Sequence, residues 1–349
     1  MLRKQLFALL SLPFAVSAVL ADTEQVVVQS DFDAMGAPVH HWSNKGKDLF
    51  YVDEGPKDGI PVVFVAGNGT SARALELTNF LRSTRDQLKL RFITLERNGF
   101  GQSTFDPKGD YASYSADVHE LLDHLGVDHF SLLAISGGGP YVAQIAADLA
   151  PQLRSIHYAA AYSQPGVSKP KDRCKVSDEQ LAVTALPYTV PTQWWAMPAG
   201  NSVERIPGWE DAAYDDGMRT FFMKGSQGFD MKPLVHEWRL YCEQPVASGE
   251  KIKAPVFIYG GTGDAAVPPE HMKFWSKHYS NIGAVRSYPG EGHDVQYRHW
   301  GQIITDIAYQ GERILVCDHG QSLLLTNDKA QQRLSQGATL DVCAWQKSE

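Results

Sequence analysis

The residue best placed for nucleophilic chemistry is a serine set at the head of a glycine run. Phe130 to Ile135 is the short apolar stretch that a fully buried parallel strand needs, and Tyr141 to Leu149 returns to helical spacing. Between them stand Ser136, Gly137, Gly138, Gly139 and Pro140. A serine exposed on a tight turn from strand to helix holds a strained backbone, so the residues two away on each side must be small. Here they are Ala134 and Gly138. The backbone N–H of Gly137, at the start of the following helix, would point at a developing oxyanion, where the helix dipole also helps. A glycine-rich turn closing an ordinary strand-helix unit is the plainer reading of five residues, and the rest of the chain has to decide between them.

The stretch resembles the nucleophile elbow of the α/β-hydrolase superfamily, usually Gly-x-Ser-x-Gly, with Ala134 at the first glycine position. The resemblance covers roughly residues 48 to 310 and implies an α/β-hydrolase fold, a mostly parallel sheet flanked by helices. Pro255 to Tyr259 reads as a strand, and the loop after it resembles the family's acid loop, with Asp264 at the motif position. Val285 to Tyr288 reads as the last core strand and leads into Pro289-Gly290-Glu291-Gly292-His293-Asp294, which resembles the histidine loop. Alone, Asp264 could be a turn or capping residue and His293 a loop histidine. Nothing else in the chain supplies Asp and His each just beyond a core strand in the order Ser, Asp, His.

The same resemblance assigns the second oxyanion donor. Ile60 to Ala66 is a strand ending in Gly67-Asn68-Gly69-Thr70-Ser71, and family members usually carry His-Gly where this chain has Ala66-Gly67. The next backbone N–H then falls on Asn68, whose side-chain amide could donate too, as in the similar haloalkane dehalogenases. Those enzymes need an aspartate nucleophile, and Ser136 stands in its place, so dehalogenation is not implied. Glu96-Arg97-Asn98-Gly99-Phe100-Gly101-Gln102-Ser103 resembles the family's Asp-Arg-x-Gly-x-Gly-x-Ser loop, with Glu96 for Asp, and is expected to brace the floor of the site.

These residues need a scaffold. Val26 to Gln29 and Asp48 to Val52 read as the antiparallel opening of a mixed sheet, with His40 and His41 on opposite strand faces and structural. Arg91 to Leu95 reads as a strand, Ser113 to Leu125 as a helix with Val118, Leu121, Leu122 and Leu125 on one face, and Ile156 to Ala161 as another strand. The expected organisation is a first core part over 22–163, a lid insertion over 164–253, a second core part over 254–311 and a small C-terminal extension over 312–349. In the lid, Trp194, Trp195 and Met197 are candidate substrate-pocket residues, although most aromatic and Met side chains there should form the lid's own core. Glu210, Asp211, Asp215 and Asp216 read either as a solvated loop or as a site for a cationic substrate group, similar to lid carboxylates of proline iminopeptidases. In the extension, Arg313 to Val316 and Ser322 to Leu325 read as a hairpin and Asp328 to Ser335 as a short helix.

Composition bounds the setting. A chain of 349 residues with 43% hydrophobic content can bury a sizeable core. Arg3 and Lys4 followed by the apolar run Leu6 to Leu20 read as a secretory signal over residues 1–21. Its removal takes the formal net charge from −8 to −10, so nucleic acid and anionic membrane are poor partners, and no later stretch is apolar enough to span a membrane. The four cysteines are an even set in an exported chain and permit three pairings. Cys174–Cys242 and Cys317–Cys343 are preferred because each stays within one segment, and loops of those lengths gain about 3 to 4.5 kcal/mol on the chain-entropy model. Neither a metal site nor a cofactor is expected. Asn68-Gly69-Thr70 is a glycosylation sequon inside the expected oxyanion loop, where a glycan would block the site, which points to a bacterial secreted or periplasmic protein. The expected activity is a serine hydrolase acting on a small-molecule carboxylic ester through an acyl-enzyme. An amidase or iminopeptidase, a perhydrolase, and a non-catalytic binding protein on the same fold are the alternatives.

Overall fold

Strands buried along most of their length can only sit between two covering layers, and five such strands form the centre of this molecule. The computed structural model describes residues 25–27, 38–168, 171–185 and 231–343. In chain order the elements of the main body are β1 (Gln25–Val27), β2 (Val39–Asn44), β3 (Lys47–Glu54), β4 (Ile60–Val65), a 3-10 stretch (Ala72–Leu81) running into α1 (Arg82–Gln87), β5 (Leu90–Leu95), α2 (Tyr111–His124), β6 (Phe130–Ile135) and α3 (Gly139–Asp148). They continue with β7 (Leu153–Ala159), α4 (Asp178–Ala185), α5 (Lys232–Glu243), β8 (Val256–Gly261), α6 (Glu270–His278), β9 (Ile282–Tyr288), α7 (Val295–Arg298) and α8 (Trp300–Tyr309).

The strands form one sheet in the order β1-β2-β3-β5-β4-β6-β7-β8-β9. The first three pair antiparallel, and every pair from β5 and β4 onward is parallel. The α/β-hydrolase fold expected from the sequence is therefore the one observed. Period-two alternation divides the core: Leu132 and Ala134 of β6 face one cluster with Val63 and Val65, while Leu133 and Ile135 face the other with Val62 and Phe64. From β4 the chain moves outward to β5 on one side, and from β6 outward to β7 on the other. The crevice beyond the carboxyl ends of β4 and β6 is thus a topological switch point, where open α/β sheets hold their ligands.

Most expected elements lie within a few residues of their observed bounds. The helix read from Ser113 begins at Tyr111, because Asp110 caps it: its carboxylate accepts from the N–H of Ser113 and the Ser113 hydroxyl accepts from the N–H of Asp110. Strand β9 begins at Ile282, three residues before the expected Val285. Its early residues alternate between half-buried and exposed because β9 is the sheet edge, and an edge strand lacks the continuous apolar run that sequence reading relies on.

Beyond α8, β10 (Arg313–Asp318), β11 (Gln321–Thr326), α9 (Asn327–Ser335) and β12 (Thr339–Leu340) make a three-stranded antiparallel sheet in the order β11-β10-β12. Ile314, Val316 and Ala330 form its small core. The hairpin and helix expected there are present, and β12, two residues long, is too short to leave an alternating pattern in the sequence. Disulfides join Cys174 to Cys242 and Cys317 to Cys343, which suits a protein outside the cytoplasm. Among the described residues no helix is long and apolar enough to cross a membrane. The expected signal over 1–21 and the acidic group Glu210, Asp211, Asp215 and Asp216 lie outside the described residues.

Candidate active site

Three loops at the carboxyl ends of β6, β8 and β9 bring a hydroxyl, a carboxylate and an imidazole into line. Ser136 sits at the apex of the turn after β6 with φ of 48°, a left-handed conformation that a serine adopts only when its surroundings impose it. The imposing contacts are close backbone approaches. A Cβ on Gly138 would lie 2.3 Å from the carbonyl oxygen of Val65, and one on Gly139 would lie 2.0 Å from that of Tyr162. The N–H of Tyr162 donates to the Ser136 carbonyl at 2.7 Å. The turn is held from β4 on one side and from the segment after β7 on the other.

His293 spans from Ser136 to Asp264. Its Nε2 is 3.1 Å from Ser136 Oγ, and its Nδ1 is 2.8 Å from Asp264 Oδ2. The second carboxylate oxygen of Asp264 accepts from the N–H groups of Ala266 at 2.9 Å and Val267 at 2.8 Å, so the acid is fixed at both oxygens and buried. The two loops are stitched together: Gly263 N–H donates to the carbonyl of Glu291, Thr262 N–H to that of Tyr288, and Gly290 N–H to the Thr262 hydroxyl. An imidazole bonded to a carboxylate through Nδ1 presents Nε2 as a base to the hydroxyl, the arrangement needed for proton abstraction from serine.

The loop after β4 presses on Ser136. A Cβ on Gly67 would lie 3.1 Å from the Cβ of Ser136, and the Asn68 amide oxygen lies directly over the Cα of Gly137. Arg97 holds this loop from behind, donating to the carbonyls of Ala66 at 2.6 Å and Gly67 at 2.5 Å. Glu96 accepts from the N–H of Ala72 at 3.0 Å, and burial pushes its carboxyl up to about 7. The loop expected to brace the floor of the site does so through these contacts.

Two residues went unremarked in the sequence. Glu237 and Tyr241 lie one turn apart on the buried face of α5. Glu237 pairs with Arg97 at 2.8 Å, and burial, partly offset by Arg97, raises its pKa. The Tyr241 hydroxyl shares its proton between the Asn68 amide oxygen at 2.5 Å and the Gly137 carbonyl at 2.8 Å. The available signal was an acidic residue on the apolar stripe formed by Leu234, Trp238 and Tyr241, a position that only a buried partner makes tolerable. Trp194, Trp195 and Met197 lie outside the described residues. Among the described residues no group of three or more His, Cys, Asp or Glu side chains is arranged to hold a metal ion.

Residues 62–306 match the model of an alpha/beta hydrolase family. The chain belongs to that family. Two similar proteins are a magnesium-chelatase 30 kDa subunit of Rhodobacter capsulatus, 20% identical with 78% of this chain and 90% of the relative covered, and a bifunctional esterase/perhydrolase of Acinetobacter calcoaceticus, 25% identical with 72% and 91% covered. Among solved structures, an esterase of Rhodococcus superposes with a TM-score of 0.59 at 19% identity, covering 77% of this chain and 96% of that one. At such identity the superposition speaks for the alpha/beta hydrolase fold, and the chemistry must be argued from the site.

Proposed function

We propose that this alpha/beta hydrolase is a serine esterase that cleaves a carboxylic ester of a small or medium apolar substrate through an acyl-enzyme. The observation that carries the reading is the placement of His293 between Ser136 and Asp264 at hydrogen-bond distance from both. In the first half-reaction His293 takes the Ser136 proton as Oγ attacks the ester carbonyl, then gives it to the departing alcohol. Asp264 holds the ring tautomer and stabilises the imidazolium. The backbone N–H groups of Gly137 and Asn68 receive the oxyanion, and each such donor is typically worth about 3 kcal/mol. In the second half-reaction water attacks the acyl carbonyl with His293 again as base.

The described ends of the insertion between β7 and β8 are tied together by Cys174–Cys242, and α5 within it sets Tyr241 against Asn68 and Gly137 at the crevice. The similarity to an esterase/perhydrolase supports ester as the substrate class and leaves peroxide as a second acyl acceptor in place of water. Export through residues 1–21 accords with the two disulfides. A fluorophosphonate probe tests the reading: it should label the wild-type protein and spare Ser136→Ala. Labelling that survives the substitution, or an arylester hydrolysed no faster than without enzyme, would overturn it. An amino-acid arylamide turned over faster than the matched arylester would make the enzyme an amidase instead.

A further inference from the structure

A second histidine lies six residues beyond His293 and is bound at both ring nitrogens. His299 Nδ1 is 2.8 Å from Asp341 Oδ2, and its Nε2 is 2.8 Å from Glu291 Oε2. Two carboxylates, neither able to donate when ionised, require the ring to donate from both nitrogens, so His299 is an imidazolium. Burial opposes that charge, and the bonds to Asp341 and Glu291 outweigh it, so its pKa is raised above the ordinary histidine value. The other groups around the ring are the Tyr288 side chain of β9, stacked on it with centroids 3.5 Å apart, and Arg298 of α7, 3.7 Å from Glu291 Oε2 and paired with Asp294 at 2.8 Å.

The two carboxylates belong to different parts of the molecule. Asp341 comes from the C-terminal extension, is fully buried and stands at φ of 78°. Its N–H donates to the Leu315 carbonyl at 2.9 Å, its Oδ1 accepts from the N–H of Val342, and the Cys317–Cys343 disulfide ties down the chain two residues later. A non-glycine residue held in that conformation at no exposure marks a position the surroundings have fixed. Glu291 lies in the histidine loop, two residues before His293. Its carbonyl accepts from the N–H of Gly263, the neighbour of Asp264, at 2.9 Å.

We propose that the C-terminal extension positions the catalytic imidazole, through a bridge from Asp341 across His299 to Glu291 that fixes the loops bearing His293 and Asp264. The inference rests on the esterase reading above. Asp341, His299 and Glu291 are positioning residues, since their side chains bond to one another and act on His293 only through the loop that carries it. The family match ends at residue 306, so the bridge joins the family's own fold to a segment outside it. The device works while His299 is charged. When pH rises far enough to remove its second proton, one of the two bonds must fail and the loop loosens.

The test compares full-length variants by steady-state arylester kinetics across pH and by the rate of fluorophosphonate labelling. Asp341→Asn keeps the shape and removes the charge, and Glu291→Gln does the same from the loop side, so the second stands if the first does not fold. Each should lower kcat about tenfold with KM within about twofold, slow labelling by the same factor, and move the alkaline limb of the kcat profile to lower pH. Leu324→Ser, on the exposed outer side of the extension's hairpin, is the control and should change none of these. Wild-type kcat and an unmoved alkaline limb in Asp341→Asn and Glu291→Gln, with Ser136→Ala inactive, would overturn the bridge and leave the esterase reading intact. A Leu324→Ser enzyme as impaired as Asp341→Asn would also overturn it, by showing general damage to the extension. Turnover retained in Ser136→Ala would instead remove the reading on which the bridge depends.

Discussion

His293 and His299 are six residues apart in one loop-helix stretch, and their neighbours give them opposite characters. His293 has a carboxylate on one nitrogen and a hydroxyl on the other, so one side is a fixed anchor and the other is free to exchange a proton. His299 has a carboxylate on each nitrogen and is buried, so neither side can give up a proton without breaking a bond. A third histidine completes the series. His157 on β7 lies in the sheet interior, its Nε2 2.8 Å from the Ser155 hydroxyl and its Nδ1 3.0 Å from the Tyr259 hydroxyl. With only hydroxyls as partners, burial, aided by nearby Arg286, pulls its pKa down to about 3 and the ring stays neutral. The residue type is the same each time; the partners decide whether the ring moves a proton, keeps one or refuses one.

The widest separation within this series should appear in turnover. Ser136→Ala and His293→Ala should each lower kcat for an arylester by about a millionfold, because nucleophile and base act as a unit. His299→Gln should lower it by about tenfold, in line with a residue that acts through a loop. Asp264→Asn keeps the shape but supports the wrong tautomer of His293 and should cost about ten-thousandfold. Initial-rate measurements on purified variants settle the order, and a His299 variant as inactive as the His293 one would erase the contrast.

What could be read from the sequence follows the same division. Ser136, Asp264 and His293 each stand just past a strand, so local pattern and chain order, together with the resemblance to the family's loops, single out three residues that the fold places side by side. Gly137 followed from its place after Ser136 at a helix start, and Asn68 from the resemblance to the family's oxyanion loop. Glu237 and Tyr241 did not, since their partners lie more than a hundred residues away and their helix reads as an ordinary amphipathic one. The bridge at His299 was hidden for a related reason: its carboxylates come from a loop eight residues upstream and a tail 42 residues downstream. Hydrophobic periodicity reports which face of an element is buried and carries no information about which polar groups meet beneath it.

The two buried histidines should also tilt the pH dependence of stability in opposite directions. For His157 the folded pKa is about 3 against an unfolded value near 6.5, so the unfolded chain binds the extra proton first. Stability should fall as pH drops from about 6.5 toward 3, by roughly 5 kcal/mol from this group at the lower end. For His299 the folded pKa is raised, so its contribution is complete below the unfolded value and is lost as pH rises through the folded one. Urea midpoints measured across pH should flatten on the acid side in His157→Gln and on the alkaline side in His299→Gln. Parallel curves for the two variants would mean that the rings do not differ in charge as their partners imply.

The smallest expected effect concerns the far side of the site, where Tyr241 plays toward the oxyanion donors the part that Asp341 plays toward the histidine loop. Its hydroxyl holds the Asn68 amide and the Gly137 carbonyl, while Gly137 and Asn68 are the residues whose N–H groups would face the oxyanion. Direct loss of an oxyanion donor costs about a hundred- to a thousandfold in kcat. Tyr241→Phe removes only the group that orients the donors, and it leaves the ring to fill the same space beside Tyr111 and Tyr162. It should therefore lower kcat about tenfold with KM unchanged, and slow labelling by a fluorophosphonate in proportion. Loss confined to KM would place the phenol in substrate binding, and wild-type kinetics would mean that the Arg97 contacts alone keep the oxyanion loop in register.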